Sequence, residues 1–157
     1  ITGPDGVRTV PIHDFYISAG KVDLKHGELL TSILIKKESY ENYYGHYIKY
    51  AMRNAMDIAT TGCSANVKLS DDKKTIVSAR IAYGVAAPVP IRAKSAEEFL
   101  NGKEATAENI AAFAKKALDD VNPRTSWRAS KELRLQLIEE LSKRAMTEAV
   151  RLAGGEI

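Results

Sequence analysis

A single cysteine, Cys63, stands among 157 residues. It excludes an internal disulfide and a cysteine-ligated cluster and fits a reducing, cytoplasmic setting. Flanked by Gly62 and Ser64 in an apolar strand, it reads as a small buried hydrophobe rather than a nucleophile. No apolar run approaches the roughly 18 residues of a membrane span, and the first residues are no signal peptide. Charge of one sign is missing too. The 23 Lys and Arg stand against 20 Asp and Glu, and the two signs are interspersed, as in Lys103-Glu104 and Glu139-Glu140 beside Lys143-Arg144. No basic stripe argues for nucleic acid. The three histidines, His13, His26 and His46, have no metal-like spacing and read as surface residues. Gly-x-Gly-x-x-Gly, the P-loop and Gly-x-Ser-x-Gly are all absent, so composition and motifs supply no catalytic apparatus.

What is present suits one ordinary domain, or one domain and a piece of another, with 45% hydrophobic and 27% charged residues and length enough to bury a core. Gly3-Pro4-Asp5-Gly6 is a turn signal, followed by a strand over 7–12. A turn with almost no strand before it, and a first residue that is not methionine, predict that the sequence begins inside a longer protein. Residues 27–35 predict a strand burying Leu30, Ile33 and Ile35. The polar stretch 36–44 predicts a boundary, dividing the chain into 1–38 and 39–157.

From Tyr47 the pattern is a β-meander: strands over 47–52, 58–69 and 75–85, the last two joined by the polar turn Ser70-Asp71-Asp72-Lys73-Lys74. Pro88 and Pro90 cannot continue a central strand. Ser95 with Glu98 has capping-box spacing and predicts a helix over 95–100. Thr106 predicts a cap for a helix over 107–121, stopped at Asn122-Pro123. A last helix over 129–153 has an apolar stripe of Leu133, Leu137, Leu141, Ala145, Met146 and Ala149, ended by Gly154-Gly155. Strands first and helices after predict an α+β fold: a three-stranded antiparallel sheet packed with C-terminal helices.

The stretch Lys49-Tyr50-Ala51-Met52-Arg53-Asn54-Ala55-Met56-Asp57-Ile58-Ala59 breaks strand alternation with a polar loop, placing a long cation at a strand edge where a planar ligand could rest. Arg53 and Asp57 read as a structural pair or a loop cap rather than cofactor contacts. This run, Gly3–Pro11 with Phe15 and Gly20-Lys21, Glu28-Leu29-Leu30 with Ile33, Ala82–Arg92, and Ser126-Trp127-Arg128-Ala129-Ser130-Lys131-Glu132-Leu133-Arg134 together resemble the flavoprotein family of xanthine and carbon monoxide dehydrogenases. The similarity covers essentially the whole chain and is greatest to the separate FAD-binding subunits of bacterial xanthine dehydrogenases, in their C-terminal portion.

The resemblance implies that residues 1–38 are the tail of an FAD-binding domain and 39–157 the flavoprotein C-terminal domain. It implies a cytoplasmic oxidoreductase complex of the molybdenum hydroxylase class, active in purine catabolism. Electrons would pass from a molybdopterin-binding subunit through a [2Fe-2S] subunit to FAD and then to NAD. Lys49 would sit beside the polar edge of the isoalloxazine and Leu30 would pack near the ring. The family's glycine-rich pyrophosphate loops match nothing here, so these residues alone would not hold FAD tightly. Animal members have an acidic residue where this chain has Met56, which sets their loop electrostatics apart. Two other readings stay open: a non-catalytic subunit-docking module, and the flavoprotein of a carbon monoxide or aromatic acyl-CoA oxidoreductase.

Overall fold

The structure, a computed structural model, describes all 157 residues and divides into two compact units, Ile1–Glu41 and Asn42–Ile157. In the first, β1 (Thr2–Gly3) and β2 (Gly6–Val7) form a tight antiparallel hairpin. Gly6 takes a φ of +114° that L side chains avoid. The expected strand over 7–12 ends at Val7. Pro11 has no N–H to give a ladder, and its carbonyl instead accepts from Asp14 and Phe15 to start the one-turn helix α1 (Ile12–Phe15). A second small hairpin pairs β3 (Tyr16–Ser18) with β4 (Lys21–Val22).

Arg8 holds this unit together. Its Nε and Nη2 grip both carboxylate oxygens of Glu28, at 2.8 and 2.7 Å, and its Nη1 reaches Asp23 at 2.7 Å. Hydrogen bonding to Arg8, then to the Lys25 backbone N–H, pulls the Glu28 carboxyl down to about 2. The strand expected over 27–35 is not formed. Only Leu29 finds a partner, Thr2, and Leu30, Ile33 and Ile35 are exposed. An apolar run becomes a strand only where a second edge is there to pair with it.

The second unit is α+β. Its sheet has the order β5 (Tyr44–Tyr50), β6 (Thr61–Leu69), β7 (Ile76–Gly84), β8 (Ile91–Arg92), all antiparallel. The count is four rather than three, because the two residues after Pro90 pair with Ala82 and Tyr83 at the open edge of β7. Strict alternation puts Cys63, Ala65, Val67 and Leu69 of β6 and Ala79, Ile81 and Tyr83 of β7 on the inner face, all buried. Ser64, Asn66 and Lys68 point the other way. The β6–β7 turn is closed by Asp72, whose Oδ1 accepts from the Ser70 hydroxyl at 2.6 Å and the Lys74 N–H at 3.2 Å.

Helices cover the inner face: α2 (Lys94–Leu100) lies against β7, α4 (Lys131–Leu152) against β5 and β6, and α3 (Ala107–Lys116) packs on α2 and α4. The expected cap at Thr106 holds, accepting from the Asn109 N–H at 3.2 Å; Ser130, expected inside the last helix, instead caps α4 by accepting from the Leu133 N–H at 3.2 Å. Ser95 is not a cap. It lies inside α2, and its N–H and hydroxyl both donate to Asp120, at 2.9 and 2.6 Å. A carboxylate from the tight turn Ala117–Asp120, which replaces the last turn expected of α3, thus serves the start of α2. On α4 the buried face is Arg134, Ile138, Leu141, Ser142, Ala145, Met146, Ala149 and Val150. Leu141, Ala145, Met146 and Ala149 are buried as expected, Leu137 is only partly buried and Leu133 is exposed, so the buried face is turned about half a residue from the expected stripe. No helix is long and apolar enough to cross a membrane.

Candidate functional site

Lys49 sits near the end of β5, directly opposite Gly62 of β6. Tyr47 lies on the same sheet face. A Cβ on Gly62 would come within 2.8 Å of the Tyr47 hydroxyl, so glycine is what lets that ring lie across β6. The Lys49 ammonium donates to the Asp57 carbonyl at 2.6 Å and is exposed, with two of its three hydrogens left for another acceptor.

The loop that carries Asp57 is held by its own backbone. The Asp57 carboxylate accepts from the N–H groups of Met52 at 2.9 Å and Ile58 at 2.8 Å. Arg53 Nη2 donates to the Met56 carbonyl at 2.5 Å, and Met56 itself takes a positive φ of 52°. Of the two roles expected of Arg53 and Asp57, the structure shows the loop cap and no pair between them. The loop closes where the Thr60 N–H donates to the Tyr50 carbonyl at 2.8 Å. The side chains of Met52, Met56 and Ile58 are all exposed.

Behind this loop stands a residue that the sequence places in the Ser126–Arg134 resemblance without a role of its own. Arg134 is only 2% exposed and has no carboxylate partner. Its Nε donates to the Thr60 carbonyl at 3.3 Å, its Nη1 to the Arg124 carbonyl and its Nη2 to the Ser126 hydroxyl at 2.8 Å. Burial, and then the nearby cations Arg124 and Arg128, lower its proton affinity. It ties the base of the Lys49 loop to the segment leading into α4. Its spacing gave a signal, since 134, 138, 141 and 145 fall on one helical face.

Leu30, the other expected flavin neighbour, belongs to the first unit, where it follows the Thr2–Leu29 bridge and is 48% exposed. Cys63 is fully buried, and burial pushes its thiol up to about 12, which leaves it without a nucleophile's thiolate. It lies in a small polar knot in the core, where the Tyr83 hydroxyl meets Ser142 and Ser142 donates to the Ile138 carbonyl. A surface hollow of about 550 Å³ is lined by Asp72, Lys74, Glu104 and Thr106. It lies at the β6–β7 turn, and the seven residues of β6 between Gly62 and Leu69 put it roughly 23 Å along the strand from Lys49. It has no part in the Lys49 site.

The xanthine dehydrogenase FAD-binding subunit of Escherichia coli O157:H7 is 43% identical over 157 residues, all of this chain and 53% of that protein. The carbon monoxide dehydrogenase medium chain of Hydrogenophaga pseudoflava is 27% identical over 149 residues, 95% of this chain and 50% of that one. Among solved structures, quinoline 2-oxidoreductase from Pseudomonas putida 86 superposes with a TM-score of 0.83 at 28% identity, covering 97% of this chain and 51% of that one. The chain thus spans about half the length of the relatives it matches. The CO dehydrogenase flavoprotein C-terminal domain matches residues 46–149, which include most of β5, the Lys49 loop, the other three strands of the sheet and nearly all of α4. With that match, and with similarity along the whole of this chain to about half of an FAD-binding subunit, the chain belongs to the family of CO dehydrogenase flavoprotein C-terminal domains.

Proposed function

We propose that this chain is part of the FAD-binding subunit of a xanthine dehydrogenase-type molybdenum hydroxylase, with residues 1–38 as the tail of its FAD-binding domain. The single observation that carries this reading is the 43% identity, over every residue of the chain, to a protein named as an FAD-binding subunit. In this reading the subunit works in a complex with a molybdopterin-binding subunit and a [2Fe-2S] subunit, and the electrons leave to NAD. Bound FAD supplies the step between one-electron carriers and a two-electron acceptor.

The residues present fit one edge of a flavin. Lys49 offers a fixed, exposed ammonium with spare hydrogens to an oxygen or nitrogen at the ring's polar edge; Leu30 belongs to the other unit, where it is exposed, and its place near the ring is carried by the resemblance alone. They do not fit the pyrophosphate, which is usually gripped by successive backbone N–H groups of a glycine-rich loop. The role of this part is therefore to position and charge the ring edge rather than to supply the affinity.

The Lys49→Met variant of the intact complex tests the reading. A cation beside the ring favours the form with more negative charge, so removing it should lower the flavin midpoint potential. A coupling of about 1.4 kcal/mol corresponds to roughly 30 mV for a two-electron couple, readable by spectroelectrochemistry. Single-turnover substrate oxidation at the molybdenum centre should be unaffected. An unchanged potential with FAD at full occupancy would return Lys49 to the role of a solvated strand residue.

A further inference from the structure

The chain's one tryptophan is held out into solvent. Trp127 is 79% exposed, and its ring is stacked on one side by the Arg128 guanidinium, 4.1 Å from the ring centroid. The turn that presents it is built, not loose. Ser126 and Ala129 pair across it, with Ser126 N–H donating to the Ala129 carbonyl at 3.0 Å. The Ser126 hydroxyl accepts from the Arg128 N–H at 3.3 Å and from Arg134 at 2.8 Å. The Thr125 hydroxyl accepts from the Lys131 N–H at 3.0 Å. Buried Arg134 therefore anchors the turn from inside, and little ordering entropy remains to be lost on binding.

The charge around this ring is one-sided. Arg8, Arg92, Arg144 and Arg151 each lie on a carboxylate, whereas Arg124 and Arg128 lie on none. Between Val121 and Lys131 there is no Asp or Glu at all. The Nε of Arg128 is buried with no hydrogen-bond partner. Two arginines without a carboxylate, in a stretch with no acid, stand beside an exposed tryptophan and give an aromatic anchor a cationic rim. Tryptophan and arginine are the residues that most often dominate binding at protein interfaces. A ring this open to solvent suits a protein surface better than a small ligand, which is usually enclosed in a hollow.

We propose that the Trp127–Arg128 turn docks a carboxylate-rich face of a partner subunit, with the ring entering an apolar notch and Arg124 and Arg128 meeting the acids around it. That the partner is a subunit of the same assembly rests on the proposed function; the anchor itself does not.

The test is assembly of the intact complex, followed by size exclusion over a dilution series. Trp127→Ala should weaken association about 30-fold, the equivalent of about 2 kcal/mol for a central anchor. The Arg124→Glu/Arg128→Glu double variant should weaken it further and remove its salt dependence. Emission of the wild-type complex minus that of the Trp127→Phe complex should shift to the blue on assembly. Because Trp127 is exposed, these variants should fold normally by circular dichroism. If they impair assembly while Lys49→Met leaves the flavin potential unmoved, the docking surface stands and the flavin role of Lys49 fails. Unchanged assembly in both the Trp127→Ala and the double variant would overturn the proposal. So would a blue shift produced by self-association of this chain alone, or by added inorganic phosphate.

Discussion

The rotation of the α4 stripe has a measurable consequence. Periodicity places Leu133 and Leu137 on the apolar face, whereas the structure places Ile138 at the centre of the core and Leu137 at its margin. Truncating a large aliphatic side chain costs the transfer free energy of the lost groups plus a cavity contribution of about 24 cal/mol per Å³ that fails to collapse, together about 2–5 kcal/mol. Ile138 is wholly inaccessible, so its cavity cannot open to water, and Ile138→Ala should cost about 3–5 kcal/mol, the upper part of that range. Leu141 is 5% exposed, and Leu141→Ala should cost about 2–3 kcal/mol because part of the void can be filled from outside. Leu137→Ala should cost about 1–2 kcal/mol for a half-buried chain. Leu133→Ala should stay within about 0.5 kcal/mol, as for a surface change. Urea unfolding followed by far-UV circular dichroism, with equal m-values across the series, gives the four numbers. The ordering is the test. Leu137→Ala costing as much as Ile138→Ala would mean that α4 faces the sheet in the register its sequence suggests, and the structure of this face would be wrong.

Acid should loosen the first unit through Glu28. Its folded value of about 2 lies below its ordinary 4.5, so the Arg8–Glu28 contribution is present above about pH 4.5 and lost as the pH falls towards 2. Wild type and Glu28→Gln should therefore differ in stability at pH 7 and converge at pH 2; a gap that persists at pH 2 would show that Glu28 acts otherwise than as a carboxylate. Cys63, raised to about 12 by burial, should not react with a thiol reagent at pH 8 until the protein is unfolded in urea. Reaction at the rate of a free thiol under native conditions would mean that the core is open at β6.

Much of the second unit is legible residue by residue, because its signals are local. The alternation of β6 and β7, the polar turn between them, and the cap at Thr106 each depend on residues a few positions apart. The Lys49 loop is legible for the same reason. Asp57 sits five residues from Met52, close enough for one carboxylate to bridge the loop's two flanks. What the sequence concealed lies in contacts between distant segments. Asp120 serves Ser95 from 25 positions away, and Arg134 reaches Thr60 across 74. The brief strand β8 exists only because β7 offers it an edge.

The sequence by itself thus determined the order of the long strands and helices of the second unit, the α+β class, the family resemblance and the position of the exposed cation Lys49. Periods, caps and turn residues are properties of a short length of chain. The tertiary structure decided which face of α4 is buried, that residues 27–35 are no strand, that Ser95 bonds a carboxylate instead of capping its helix, and that a lone arginine is buried behind the Lys49 loop. Each of those outcomes depends on which partner a residue meets once the chain has folded, since burial and hydrogen bonding are settled by neighbours in space rather than by neighbours in sequence.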